Sequence, residues 1–209
     1  MSEVTTSGVT APAAGRRERK KQQLRERIVD EATTLIFEQG LAATTVDQIA
    51  ARADISQTTF FNYFPNKTAL VETMFVRLVD RWYRAVRDAH PAEAPVADKV
   101  RTLFQLTADL APPQHRLVRD LIVETLRSRA DVSGGLMQMV AYFREELAAG
   151  QARGEVRDDQ DAATLTDCIL GLYVSVRLFW IDDADYPIAE RLHAAEQMAI
   201  EMLSPLPRP

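Results

Sequence analysis

The sequence carries one cysteine, Cys168, and three scattered histidines, His90, His115 and His193. A lone cysteine excludes an intramolecular disulfide and cannot form a structural zinc cluster. The apolar neighbours of Cys168 make a buried, unreactive thiol the expectation, with redox sensing as the alternative. No His-Glu-x-x-His, no Cys-x-x-Cys and no glycine-rich loop leading into a helix is present, so no metal site, no cofactor and no enzymatic activity are expected. Long apolar runs are missing too, since none reaches the roughly 18 uninterrupted residues of a membrane span. The N-terminus lacks a charged-then-apolar export signal, which leaves the cytoplasm as the expected location. Strand-like alternation and fixed-period repeats are also missing.

What remains is an ordinary globular composition, 46% apolar and 26% charged over 209 residues, enough for one large domain or a small one joined to a larger. A net charge of −5 disfavours a polyanionic partner until its distribution is considered. Residues 1–67 hold nine Lys and Arg against eight Asp and Glu, whereas the rest holds sixteen against twenty-two. Within the first part, Arg16, Arg17, Arg19, Lys20, Lys21, Arg25 and Arg27 are offset only by Glu18 and Glu26. A solvated helix face would read the same way.

Met1 to about Gly15 is rich in Ser, Thr, Gly, Ala and Pro and is expected to be a disordered leader. From Arg19 onward, Leu24, Ile28, Ala32, Leu35 and Ile36 recur at spacings of three and four, predicting an amphipathic helix that stops at Gly40. Thr44 and Thr45 are N-cap candidates for a short helix burying Val46, Ile49 and Ala50. Ser56 can cap another that begins at Gln57 and ends before Pro65. Longer helical patterns follow at about 67–88, 98–110, 114–129, 135–149, 161–180 and 187–203. The prolines of 90–95, the pair Pro112 and Pro113, the pair Gly134 and Gly135, and the stretch 150–154 fall between them as breakers. An all-α chain of about nine helices is the expected fold.

The two short helices, joined by Ala53-Asp54-Ile55, can cross steeply only over small residues, which Ala50 and Ala53 supply. Ile49, Ile55, Phe60 and Phe64 would pack inward. Gln57, Thr58, Thr59, Asn62 and Tyr63 would then form a polar, uncharged strip facing outward. Asp54 stands where such turns favour glycine, and aspartate tolerates a left-handed backbone better than most residues. The strip suits base edges and phosphate oxygens, and a plain pair of bundle helices would satisfy the same pattern.

Residues 28–70 resemble the DNA-binding domain of the tetracycline-repressor (TetR) family. The resemblance is carried by Phe-Glu-Gln-Gly ending the first helix, then Thr-Thr-Val-Asp-Gln-Ile-Ala, then Ile-Ser-Gln-Thr-Thr-Phe-Phe-Asn-Tyr-Phe-Pro-Asn-Lys-Thr-Ala-Leu. The run Gly-Glu-Val-Arg-Asp-Asp from Gly154, leading into a helix centred on Gly171, is similar to that family's C-terminal half. This implies a three-helix DNA-binding domain over 16–82 with a basic N-terminal arm and the helix-turn-helix at 45–64. A larger helical ligand-binding and dimerisation domain would occupy 83–209. It also implies that Thr45 meets the DNA backbone, that Ser56, Gln57, Thr58, Thr59 and Asn62 lie at the reading face, and that Lys67 meets a phosphate, with Arg19 and Lys20 as arm contacts. Phe61 departs from the pattern, because the family usually has a tyrosine there whose hydroxyl reaches a phosphate. Apolar contact is then what Phe61 retains, and Tyr63 could supply a phosphate contact instead. The implied function is a sequence-specific regulator, most often a repressor released from a palindromic operator when a small apolar or amphipathic ligand binds.

The last helix places Ile188, Leu192, Ala195, Ala199 and Met202 along a 3.5-residue seam. The helix before it is apolar around most of its circumference through Leu165, Ile169, Leu172 and their neighbours. Gly171 within it argues for close helix approach, since glycine costs about 1 kcal/mol there relative to alanine. Two such helices from each subunit would build a four-helix homodimer interface, as the resemblance also implies, while packing inside one monomer is the alternative. Between the two ends lie Trp82, Leu103, Phe104, Leu106, Met137, Met139, Tyr142, Phe143, Tyr173 and Arg177. Side chains of this kind ordinarily form plain core, whereas the resemblance implies a pocket for a small effector. An adaptor that keeps the fold but binds protein is the rival, supported only by Phe61.

Overall fold

The computed structural model describes residues 13–110, 112–128, 133–183 and 185–205. Among them the chain forms nine α-helices and no strand: α1 (Ala13–Gln39), α2 (Val46–Arg52), α3 (Gln57–Tyr63), α4 (Lys67–Ala89), α5 (Val96–Ala108), α6 (Pro112–Ser128), α7 (Ser133–Arg153), α8 (Ala162–Asp182) and α9 (Ile188–Leu203). The expected leader lies outside the described residues as far as residue 12, and from Ala13 the chain is helical. The basic run is therefore drawn into α1. Ile28, Val29, Ala32, Leu35 and Ile36 make the buried face of α1, whereas residues 15–23 are all exposed. Gly40, at φ +86°, turns the chain out of α1 while its amide donates to the Ile36 carbonyl at 2.8 Å.

Two buried cores result. The first joins α1 to Ile49 and Ala50 of α2, Phe60 and Phe64 of and after α3, Leu70, Val71 and Met74 of α4, and Leu121 of α6. The second begins at Trp82 and Val86 in the later turns of α4 and runs through α5, α7, α8 and α9. Because successive residues of a helix point about 100° apart, α6 gives Leu121 to the first core and Ile122 to the second. Helices α4 and α6 are thus shared by both bundles.

Several residues read as breakers sit inside helices. Pro112 and Pro113 open α6, where a proline lacks only an amide that has no helical partner anyway. Gly134 and Gly135 lie in the first turns of α7, which continues through Gly150 to Arg153. A Cβ at Gly150 would stand 2.7 Å from Val96 Cγ2 and 2.8 Å from Val156 Cγ2. Glycine there permits close approach, and Gly154, at φ +75°, makes the turn.

The proposed seam of the last two helices is corrected by the same packing. Leu165, Ile169, Ile188, Leu192, Ala195 and Ala199 are buried within the protomer, and Leu172 and Met202 pack half-buried against the same core. The reason is α5: its apolar face, including Val100, Leu103 and Phe104, covers the inner stripe of α9, so that stripe needs no second subunit. What the protomer leaves uncovered is the opposite side, where Val174, Leu178, Phe179 and Met198 are exposed. Cys168 is exposed on α8 as well, contrary to the buried thiol expected from its neighbours. Its neighbours Ile169 and Leu170 turn inward, and the helical period carries Cys168 out. Gly171 has open space where a Cβ would stand, so no close approach within the chain explains it. Helix α8 is long and apolar enough by length and composition to cross a membrane. About a third of that span is buried, through residues such as Leu165, Ile169, Tyr173 and Trp180, while Val174, Leu178 and Phe179 of the same helix are exposed.

Candidate functional site

Local chemistry builds the N-terminal motif. Thr45 caps α2, its hydroxyl accepting from the Gln48 amide at 3.2 Å while Gln48 Oε1 accepts from the Thr45 amide at 2.9 Å. Ser56 caps α3, accepting from the Thr59 amide at 3.1 Å and lying 2.9 Å from the Thr59 hydroxyl. Between the helices Asp54 adopts φ +52°, the left-handed conformation that the three-residue turn requires. The Ile55 amide donates to the Ala50 carbonyl at 2.9 Å, and Arg27 of α1 donates to the Ala53 carbonyl. Arg25 lies over the Phe64 ring, 5.0 Å from its centroid, and donates to Thr73 at 3.0 Å. Arg52 joins Glu38 at 2.7 Å and Glu31 at 3.1 Å, fastening α2 to α1.

This frame sorts the expected contact residues. Gln57, Thr58, Phe61 and Asn62 project from α3 and are exposed, Phe61 at 49%. Gln57 is hydrogen-bonded to Asp47 of α2, so its carboxamide is already engaged. Thr59 and Tyr63 are half-buried, with Tyr63 packed against the first core. Thr45 and Ser56 spend their hydroxyls on caps, and the Thr59 hydroxyl is bonded to that of Ser56. Lys67 is a correction: its ammonium points inward, donating to the Leu41 carbonyl and, at 2.6 Å, to the Thr44 carbonyl. Burial pulls its pKa below the ordinary lysine value, against the opposing charges of Glu124 and Asp120. It holds the turn between α1 and α2. The cations that remain free, Arg16, Arg17, Arg19, Lys20 and Lys21, form no ion pair with a described residue and stand on the exposed start of α1.

The second site is a cavity of about 230 Å³ between α4, α6 and α8. Of the residues expected to line it, Trp82, Leu103, Tyr173 and Arg177 do, joined by Met139. Phe104 and Phe143 are instead fully buried core, Phe104 meeting the Tyr173 ring edge-on. Tyr142 packs between Tyr83 and Phe143, and Met137 faces outward. These four occupy the far side of α5 and α7, which a pattern of large side chains cannot distinguish from a wall. The reading missed Ile122 and Thr125, which line the cavity from α6. A signal existed: Val118, Ile122 and Thr125 follow one helical stripe, and Thr125 is polar where an apolar residue is due. Within the wall, Arg177 lies over Trp82 at 4.7 Å and Tyr173 at 5.1 Å, and its Nη1 donates to Tyr173 Oη at 3.0 Å.

Helix α6 connects the two sites. Asp120 accepts from the Leu41 amide at 3.1 Å, Glu124 accepts from Thr68 at 3.1 Å, and Arg116 donates to the Phe37 carbonyl at 3.0 Å. On the other side of α6, Arg119 donates to the Ile181 carbonyl at 2.6 Å at the end of α8. Helix α6 is thus bonded on one side to the turn before α2 and to the start of α4, and on the other to the end of α8.

Residues 28–74 match the family model described as bacterial regulatory proteins, tetR family. The chain is 23% identical over 166 residues to the uncharacterized HTH-type transcriptional regulator YhgD of Bacillus subtilis, covering 75% of this chain and 84% of that protein. It is 30% identical over 148 residues to the HTH-type transcriptional regulator TcmR of Streptomyces glaucescens, covering 63% of this chain and 65% of that one. The fold is shared with Thermus thermophilus FadR, a TetR-family repressor solved with lauroyl-CoA, at a TM-score of 0.67 and 24% identity over 88% of this chain and 96% of that one.

Proposed function

We propose that this chain, whose residues 28–74 match the tetR family model, is a ligand-released repressor that reads a palindromic operator. The observation that supports it best is the uncharged exposed strip Thr58, Phe61 and Asn62, held on a frame whose caps and turn are closed by the chain itself. These residues and Gln57, once released from Asp47, are assigned to the bases. Thr45, Tyr63 and the arm of Arg16 to Lys21 are assigned to phosphates. With Lys67 turned inward, the arm supplies most of the attraction to the DNA backbone. A homodimer through the outer face of α8 and α9 sets the two reading helices about 34–36 Å apart, one DNA turn or a multiple of it. Gly171 and Val174 of α8 and Met198 of α9 lie on that face. The repressor acts in the cytoplasm, where its DNA is, and the cavity between α4, α6 and α8 receives the effector.

The test is binding to duplexes selected from a random pool, measured across a salt series. The wild-type chain should show a steep loss of affinity with salt, about 0.9 log unit per log unit of salt for each phosphate contact. A variant beginning at Gln22 should retain sequence preference with a shallower slope. Thr58→Ala should relax one or two base pairs by about 1–3 kcal/mol each. Weak, salt-insensitive binding by the full chain would overturn the DNA reading in favour of a protein-binding adaptor.

A further inference from the structure

We infer that the cavity between α4, α6 and α8 takes a compact hydrophobic carboxylate, gripped at its head by Arg177 and Thr125; this rests on the effector reading above. Arg177 is 9% exposed, yet its Nε and Nη2 have no acceptor, and no carboxylate among the described residues pairs with it. Those two N–H groups share one edge of the planar guanidinium. That edge matches the two oxygens of a carboxylate in a bidentate pair. The Trp82 and Tyr173 rings attract the guanidinium through their π-systems and leave this edge unused. Thr125, 4% exposed on α6 and lining the same cavity, has a hydroxyl without a partner. It supplies a third donor.

An uncompensated buried cation is among the most expensive arrangements a fold can hold. A water molecule would accept a hydrogen bond from Arg177 but leave its charge unbalanced, whereas an anion answers both needs. The rest of the wall, including Leu103, Ile122, Met139 and Leu170, offers only apolar contact, so the ligand must be hydrophobic beyond its head. The cavity holds about 230 Å³, more than the roughly 150 Å³ that admits benzene, and it opens on the side where Leu126, Val174 and Leu178 are exposed. A medium-chain aliphatic or single-ring aromatic carboxylate fills its enclosed part.

The experiment is calorimetric titration of the full-length protein with octanoate and with 1-octanol, which differ chiefly in the head. Wild type should bind octanoate roughly ten to a hundred times more tightly than the alcohol, the range expected of hydrogen bonds to a charged group. Arg177→Met should erase or invert that preference and should melt at a higher temperature than wild type without ligand, because the unpaired charge is gone. Thr125→Val should keep its fold and lose several-fold in octanoate affinity. Equal affinity of wild type for the two probes, or octanoate affinity unchanged in both variants, would overturn the head-group assignment while leaving the cavity an effector site. No binding of either probe by wild type would overturn the effector reading of the cavity and this inference with it.

Discussion

Among the described residues, the buried side-chain polar atoms without a hydrogen-bond partner belong to Thr125, Arg177 and Glu196, all in the C-terminal bundle, whereas the N-terminal bundle closes its own. There, Thr45, Ser56 and Asn66 each cap a helix, and Lys67 and Arg27 close backbone carbonyls of the two turns around α2. The contrast fits the roles proposed for the two parts. A surface that reads DNA has to present a few side chains in one fixed geometry, so its supporting polar groups are spent on each other. The proposed sensor has to keep binding capacity for a molecule that is not part of the chain, and on that proposal Arg177 and Thr125 hold it at a cost in stability.

The largest expected effect tests which side of the C-terminal bundle is core. Leu192→Glu puts a carboxylate at a position 0% exposed and should cost more than about 4–5 kcal/mol, abolishing the cooperative thermal transition seen by circular dichroism. Met198→Glu, 60% exposed on the outer face of α9, should keep that transition but sediment as a monomer with little affinity for a palindromic duplex. A folded Leu192→Glu protein would return the seam to the subunit interface, and a dimeric Met198→Glu protein would move the interface elsewhere.

Next in size is Lys67→Met, which opens two charge-assisted bonds in the otherwise closed N-terminal bundle. It should lose about 1.5–3 kcal/mol in urea unfolding for each bond fully broken, with DNA affinity falling because α2 is no longer held. Normal stability together with weakened DNA binding would instead make Lys67 a phosphate ligand. The contrast between the bundles is sharpened by a pair of hydroxyl deletions. Ser56→Ala should cost about 1 kcal/mol through loss of the α3 cap, while Thr125→Val, which removes a hydroxyl with no partner, should be neutral or stabilising. Equal costs in the two variants would remove the contrast.

The smallest effect concerns pH. The Arg52 guanidinium beside Glu38 holds that carboxyl below its ordinary value. A carboxyl depressed in the folded state stabilises fully above its unfolded value, and that contribution disappears as pH falls through the folded one. Arg52→Ala should therefore soften the acid limb of the N-terminal bundle's stability. The pair is exposed, so the difference should fade with added salt, and amide exchange in α1 and α2 between pH 6 and 3, values of about the carboxylate range, is the measurement that resolves it.

The helix-turn-helix was legible because its determinants are local. The caps and the turn of the motif fall within residues 45–64, and Asp54 takes the left-handed conformation its position called for, although the core it packs on comes from α1, α4 and α6. Lys67 was misread because its partners lie 26 and 23 residues away, and a lysine opening a helix looks the same whether it faces a phosphate or a carbonyl. The cavity was half legible: Trp82, Tyr173 and Arg177 stood out by residue type, but type does not say which side of a helix a cavity lies on. Thr125 carried a signal of its own, one hydroxyl in an apolar stripe.

By itself the sequence determined the helical periodicity, the reading motif and the amphipathic stripes, since each depends on spacings shorter than about two helical turns. Which stripe meets which was decided only by the tertiary structure. The seam of α9 is as apolar whether it covers a second subunit or α5, and burial of Leu192 against the latter follows from chain crossings that no local pattern encodes. The same holds for Arg177. Its charge is written in the sequence, but that it lies buried beside Trp82 with one edge unpaired depends on α4, α6 and α8 meeting around it.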